Sequence, residues 1–389
     1  MAFELNTQQR QAQKLGKQWF LNGTEQVFEI SGPAGSGKTT IVKEITDDIP
    51  LKREEVLFVA YIGKAAQNLA LNGLNAKTIH STIYLLVDEP IPDGKGGYLI
   101  KHGRYITRKR FMLKEQIDPS IKLIVLDEGG TVDESLAKDL LSFGLPVLVL
   151  GDLNQLPPPF GESPFLKNPD VILTEIMRQA ENSPIIWMSQ MILKGHEIPF
   201  GKYGDCYVVS YDELCDNMMK SVDMMICARN RTKDDLNAYY RQEIDKVPSD
   251  IPIIVGDKVV CRRNNWSRSV DDNIFLINGM VGYVEAVHLE TLKNDTIEID
   301  FRPDFLSDKV FRNVLIDLAF LQAPSNSDYR GSMYIDRFQY GRAISVYMSQ
   351  GSQYDSILYY REFMRGKDFQ KRQDYTAITR AKHGLIMVT

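Results

Sequence analysis

Residues 27–40 read VFEISGPAGSGKTT. The apolar-rich run Val27, Phe28, Glu29, Ile30 predicts a short buried strand. Gly32, Pro33, Ala34, Gly35, Ser36, Gly37, Lys38 and Thr39 follow, and a helix begins near Thr39 and Thr40. Strand, glycine-rich loop, helix is the context in which this spacing cradles phosphate. Glycines let backbone amides turn inward around an anion, and the helix N-terminus adds the positive end of its dipole. Lys38 then reaches β- and γ-phosphates, and the Thr39 hydroxyl holds Mg²⁺. The stretch predicts an NTP-binding α/β unit and leaves open what the energy drives.

The 389 residues exceed one ordinary core, so two or three domains are expected. A hydrophobic share of 43% fits a globular chain. No apolar run is long enough to span a bilayer, and residues 1–13 are polar rather than signal-like. Cys206, Cys215, Cys227 and Cys261 lack paired metal spacing and read as free thiols of a reducing cytoplasm. A net charge of −5 excludes a basic nucleic-acid coat, but not a groove with local basic charge.

Outward from the loop, residues 7–20 predict a helix capped by Asn6 or Thr7. Gln9 at its start has the amide chemistry to read an adenine edge, although a polar helix start reads equally well as plain surface. Residues 56–60, VLFVA, predict a second buried strand, followed by Gly63 and Lys64 where open α/β sheets bind ligands. Thr78, His80, Ser81 and Thr82 cluster at one helix start and offer hydrogen bonds to backbone phosphates. Residues 83–87 and 98–100 around a turn at 92–97 predict a β-hairpin. Lys101, Arg104, Arg108, Lys109 and Arg110 follow, with Tyr105 and Phe111 among them. That run is either a solvated face or a small module that touches nucleic acid.

Residues 121–128, IKLIVLDE, end a hydrophobic strand in two acids. After a phosphate loop, Asp127 suits Mg²⁺ and Glu128 suits polarising an attacking water. A third strand at 146–150 leads to Gln155, placed to sense a γ-phosphate. Arg178 falls on a helix start, where an ordinary surface role is the alternative. The second half, from about Met191, predicts strands at 206–209 and 222–227, a loop at 229–233 and a helix at 234–245. Residues 252–320 are β-rich and suggest a small inserted barrel. Arg380 sits in a Thr-Arg-Ala turn suited to reaching a nucleotide held by another domain.

The ordered set GPAGSGKTT, AYIGKAA, TIHS, VLDE, GDLNQLPP, LTEIMRQ, SVYMSQGSQYDS and YTAITRAK resembles the superfamily 1 DNA helicases, and within them the RecD and Dda branch. The blocks run from Gln9 to Lys382. The resemblance implies an α/β fold of two RecA-like P-loop NTPase domains with parallel sheets, with ATP at their interface. The domains would be 1–190, with a hairpin module at about 83–120, and 191–389, with an SH3-like β-barrel insert at about 255–335.

It implies adenine reading by Gln9, phosphate and Mg²⁺ binding by Lys38, Thr39 and Asp127, water activation by Glu128 and γ-phosphate sensing by Gln155. Arg178 and Arg380 would be arginine fingers. Lys64, Thr78, His80 and Ser349 would line a single-strand track, and the hairpin would split duplex. The implied activity is ATP-driven 5′ to 3′ translocation on single-stranded DNA and unwinding of tailed duplex by a monomer. A strand-stimulated ATPase without processive unwinding, on DNA or RNA, is the alternative. The chain departs from the family at Tyr347-Met348, where His-Lys is usual, and at Gly129-Gly130, where the usual hydroxyl after the acids is missing. A P-loop kinase or switch fits poorly, given Glu128 after Asp127, two candidate trans arginines and the second half.

Overall fold

The computed structural model describes the chain apart from residues 1–4, 62, 92–96, 102–103, 106, 160, 176–182, 272–273, 307, 326, 328 and 330–334. Arg178 and most of the expected 92–97 turn lie outside the described residues. A six-stranded sheet forms first, in the order Val171–Ile172, Val27–Ser31, Val147–Gly151, Leu123–Asp127, Val56–Ala60, Ala76–Thr78. Every pairing in it is parallel.

Its strands are apolar on both faces because helices cover both faces. The two-residue period of a strand divides the side chains cleanly. Phe28, Ile30, Phe58, Val125 and Leu148 enter one cluster with Trp19 and Ile41. Val59, Leu126 and Val149 enter the other with Ile79 and Leu136. Trp19 stacks on Phe28 with ring centroids 5.5 Å apart.

A second six-stranded sheet has the order Gly201–Tyr203, Cys206–Val209, Ala381–Val388, Tyr354–Tyr360, Met224–Cys227, Ala343–Ser345. It is parallel apart from the antiparallel edge pair Gly201–Tyr203 and Cys206–Val209. The same alternation holds: Ile357, Leu385 and Met387 face one core, Leu358, Ile386 and Val388 the other.

A third, antiparallel sheet of five strands runs Phe311–Asp317, Thr296–Pro303, Val281–Lys293, Lys258–Cys261, Phe338–Tyr340. It has a core of its own, with Phe301 edge-on to Phe338 at 5.0 Å between centroids. Cys206, Cys227 and Cys261 are buried and Cys215 is exposed, all as free thiols. No helix among the described residues is long and apolar enough to cross a membrane.

Two expectations change. Strand Tyr84–Pro90 does not pair with residues 98–100; it pairs antiparallel with Thr107–Leu113, inside the basic run. That register sets Asp88 opposite Lys109 and Glu89 opposite Arg108. Arg110 Nη1 donates to Glu89 at 2.7 Å. Arg110 of the basic run therefore meets an acid 21 residues away along the chain, and neighbours of opposite charge on paired strands attract. Residues 230–233, expected as loop, form the first turn of helix Asn230–Tyr239. Lys233 there is 1% exposed, with its ammonium on Ser325 and Gln339.

The third sheet is fastened to the second half by a buried ion pair. Arg241 donates to both carboxylate oxygens of Asp257, at 3.0 and 3.2 Å, and lies over the Tyr340 ring. Removing one partner of a buried pair leaves an uncompensated charge. Asp257→Ala is therefore expected to cost about 3–5 kcal/mol, read as a lower urea midpoint. A midpoint equal to that of the unmodified chain would show that the pair holds nothing.

Candidate functional site

The phosphate-type loop is a built cradle. Gly35 and Gly37 have φ of 80° and 81°, a region in which a side chain is strained. Helix Lys38–Asp48 starts directly after Gly37 and aims its free amides into the loop. Ser36 Oγ donates to Pro33 O at 2.9 Å. Lys38 Nζ donates to the carbonyls of Gly32 and Pro33. Gln9 is fully buried beneath the loop, its Nε2 donating to Ser36 O at 3.1 Å. Its Oε1 accepts from Asn6 N at 3.0 Å, which completes a capping box on helix Thr7–Asn22. Asn6, not Thr7, is the cap.

A cleft of about 980 Å³ opens over this loop. Lys38, Thr39, Asp127, Glu128 and Gln155 line it from the first sheet, Arg380 from the second. Asp127 ends strand Leu123–Asp127, and its Oδ1 accepts the Glu128 amide at 2.9 Å. Burial and the adjacent Glu128 carboxylate hold the Asp127 carboxyl above its ordinary range, while the amide and Lys38 pull it down. Two carboxylates and the exposed Thr39 hydroxyl make an all-oxygen donor set with excess negative charge, which suits a hard divalent cation. Glu128 has φ of 53°, so its backbone is bent sharply at the strand end. Gln155 is 9% exposed, and its Oε1 has no hydrogen-bond partner among the described residues.

Arg380 is also buried. Its guanidinium donates to Thr376 O at 3.0 Å, Ser352 O at 3.3 Å and Thr379 Oγ1 at 3.2 Å. The remaining expected contacts do not gather on one face. Lys64 is 5% exposed in the cleft wall, 3.9 Å from Asp304 and over the Tyr354 ring. Ser349 is fully buried, its hydroxyl donating to Val346 O at 2.7 Å. Thr78 caps helix Ile79–Ile83 through the Ser81 amide. His80 sits among Tyr61, Tyr84 and Phe111, with centroids 5.3–5.9 Å away. Burial holds the His80 pKa below its ordinary value.

Both departures from the family pattern have a local explanation. Thr131, one residue beyond the missing hydroxyl, donates to Glu128 O at 2.7 Å. Tyr347 and Met348 are half-buried against the second-half core. Sequence reasoning missed Tyr375, Thr376 and Gln350, which cross between the halves. All three lie within quoted blocks, but nothing in those blocks says which side chains point across.

A model of the AAA-domain family matches residues 4–207 of the 389. The chain belongs to that family. Two curated relatives place this AAA-domain protein with the superfamily 1 helicases of RecD/Dda type. The ATP-dependent DNA helicase dda of Enterobacteria phage T4 is 28% identical over 298 residues, 67% of this chain and 63% of dda. The ATP-dependent RecD2 DNA helicase of Deinococcus radiodurans is 29% identical over 181 residues, 44% of this chain and 22% of RecD2. The chain thus spans less than two thirds of either relative. In fold it is similar to a Bacteroides Pif1 helicase in complex with ADP-AlF3 and ssDNA. That match has a TM-score of 0.55 at 19% identity and covers 99% of this chain and 92% of that one.

The Gly129-Gly130 pair separates two effects. A Cβ on Gly129 would lie 2.4 Å from Val149 Cγ1, whereas one on Gly130 would meet nothing closer than Leu166 Cδ1 at 3.7 Å. Gly129→Ala should therefore lower the thermal midpoint by the equivalent of about 1–3 kcal/mol, and Gly130→Ser should leave it unchanged. The reverse order in a melting experiment would refute this reading of the strand end.

Proposed function

We propose that this protein is an ATP-dependent DNA helicase that translocates on single-stranded DNA and separates tailed duplex. One observation carries the reading: the phosphate loop, the Asp127/Glu128 pair and Gln155 share one cleft with Arg380, which comes from the other sheet. A cleft walled by two lobes lets nucleotide binding and hydrolysis alter the fit of the lobes, and so their grip on a bound strand. The relatives' printed names and the ADP-AlF3 and ssDNA complex of the Pif1 neighbour support it.

On this reading residues 1–190 and 191–389 are two RecA-like lobes. The paired strands within 83–120 are the duplex-splitting pin, and the five-stranded sheet within 255–335 is the SH3-like insert. Lys38 and the loop amides bind the phosphates of ATP, and Gln9, buried beneath the loop, would read the adenine only by releasing Ser36 O or Asn6 N. Mg²⁺ bound by Thr39 and Asp127 would supply charge neutralisation at the β- and γ-oxygens. Glu128 takes the proton of the attacking water, and Gln155 holds that water. Arg380 approaches the γ-phosphate from across the cleft, and Arg178, outside the described residues, is the second candidate finger. His80, with Tyr61 and Phe111 beside it, faces the strand, and Thr78, itself buried, caps the helix that presents it. Lys64 is better read as a cleft-wall lysine and Ser349 as a brace of its own loop, because both side chains are buried. Movement 5′ to 3′ follows the RecD/Dda branch, and a monomer suffices for it.

The decisive experiment measures ATP turnover with and without single-stranded DNA, and strand separation on duplexes with a 5′ or a 3′ tail. Turnover should rise with the strand, and only the 5′-tailed duplex should open. A rate indifferent to DNA would overturn the motor reading. Stimulation without strand separation would reduce the protein to a translocase.

Arginine fingers contribute roughly 10³–10⁵ in rate, or about 4–7 kcal/mol. Arg380→Ala should cut turnover by at least about 10³-fold and leave binding of a fluorescent ADP analogue nearly intact. Parallel loss of binding and turnover would mark Arg380 as structural.

A further inference from the structure

Helix Lys367–Ile378 belongs to the second lobe, yet Tyr375 on it is bonded to the first. Its ring is fully buried in the second-lobe core. Its hydroxyl donates to Asp152 Oδ2 at 2.6 Å and accepts the Ala34 amide at 3.0 Å. Ala34 is the third residue of the phosphate loop. Asp152 opens the turn that presents Gln155, whose amide donates to Asp152 O at 3.2 Å. One hydroxyl therefore touches the loop that holds phosphate and the turn that carries the γ-phosphate sensor.

Two neighbouring bonds act in the same direction. Leu156 N donates to Thr376 Oγ1 at 2.9 Å, and Gln350 Nε2 donates to Leu156 O at 3.1 Å. The far end of the helix carries Arg380. Its amide donates to Ala377 O at 3.1 Å and its Nε to Thr376 O at 3.0 Å, so the arginine is welded to the last turn. Arg380 follows two residues after the helix ends at Ile378, and these two bonds tie it to the helical turn that carries Tyr375. A displacement at the Tyr375 hydroxyl is thus a displacement of the Arg380 head.

We propose that Tyr375 is a positioning residue for the hydrolysis step, its hydroxyl setting the register of Arg380 against the phosphate loop across the interlobe cleft. The contact is made directly on the phosphate loop, whereas the Thr376 and Gln350 bonds reach Leu156. Removing the hydroxyl leaves the nucleotide-binding amides and Lys38 in place and blurs the approach of the guanidinium. Misplacement of a transition-state contact lowers kcat and spares ground-state binding. Burial and the Asp152 carboxylate hold the phenol pKa well above its ordinary value, so the hydroxyl remains a donor throughout the working pH range.

This inference rests on the ATP-hydrolysing reading above, and the experiment separates the two. Tyr375→Phe in the full chain retains the ring and deletes one oxygen. We expect strand-stimulated kcat to fall at least about tenfold, with KM for ATP and binding of a fluorescent ADP analogue within about twofold of the unmodified chain. On an Arg380→Ala background the same change should lower kcat no further, because a residue acting through Arg380 has nothing left to position. If Tyr375→Phe turns over like the unmodified chain, the inference is wrong. A fall in kcat that multiplies with that of Arg380→Ala, or an equal loss of nucleotide binding, also overturns it. If the unmodified chain itself is not stimulated by strand, the motor reading fails first and the inference with it.

Discussion

Hydrogen bonds from helix Lys367–Ile378 to the first parallel sheet hold the two halves of the molecule in one register. Tyr375 reaches Ala34 and Asp152, and Thr376 receives the Leu156 amide. The Asp152 and Leu156 bonds are buried, so breaking one without water to replace it costs the full desolvation of the groups left behind. The constraint decides which side chains meet in the cleft. Lys38, Thr39, Asp127 and Glu128 would sit on one wall in any case, being anchored to the ends of two parallel strands of one sheet, with strand Val147–Gly151 between them. Arg380 joins them because its own helix is pinned to the phosphate loop one turn earlier.

Charge is distributed across the cleft in a way that suits hydrolysis of a bound polyanion. The first sheet's side brings a lysine and two carboxylates, and burial, with the neighbouring Glu128 carboxylate adding to it, holds the Asp127 carboxyl above its ordinary range. The second lobe brings Arg380, held on carbonyls until a better acceptor is offered. Carbonyl oxygens are neutral acceptors, and an anionic phosphate oxygen forms the stronger charge-assisted bond. The inserted five-stranded sheet closes the far side of the same cleft: Asp304 lies against Lys64 of the first lobe, and Lys258 donates to Asp223 O at 2.6 Å. All three parts of the chain therefore border the cleft over the glycine-rich loop.

Local sequence signals carried the architecture of each sheet. Strands such as VLFVA at 56–60 and the LIVL run at 123–126 are apolar at every position, a pattern that only a sheet covered on both faces accommodates. The phosphate loop was legible for the same reason, since the glycines, the lysine and the hydroxyl all act within eight consecutive residues. The paired acids at 127–128 were legible because a strand end fixes where they point. Legibility failed where partners are distant along the chain. The basic run at 101–110 gives no hint that Asp88 and Glu89 lie across from it, because cross-strand register depends on the turn between. Lys233 looked like a loop cation and is a buried helix residue, because its acceptors Ser325 and Gln339 are roughly 90 and 106 residues away.

The sequence by itself determined a strand, glycine-rich loop and helix of phosphate-cradling type on a parallel sheet, and the order of its motif blocks carried the family resemblance. Both follow from short-range chemistry: an amide cradle, a strand period and a helix start are set by residues within one or two turns of each other. Only the tertiary structure decided that Tyr375 touches the phosphate loop, that Lys64 and Ser349 are buried, and that Thr131 supplies the hydroxyl near the acids. Those outcomes depend on packing between elements hundreds of residues apart or on the exact course of a bent backbone. No local pattern encodes the few ångströms that separate a side chain lining a groove from one closed inside a wall.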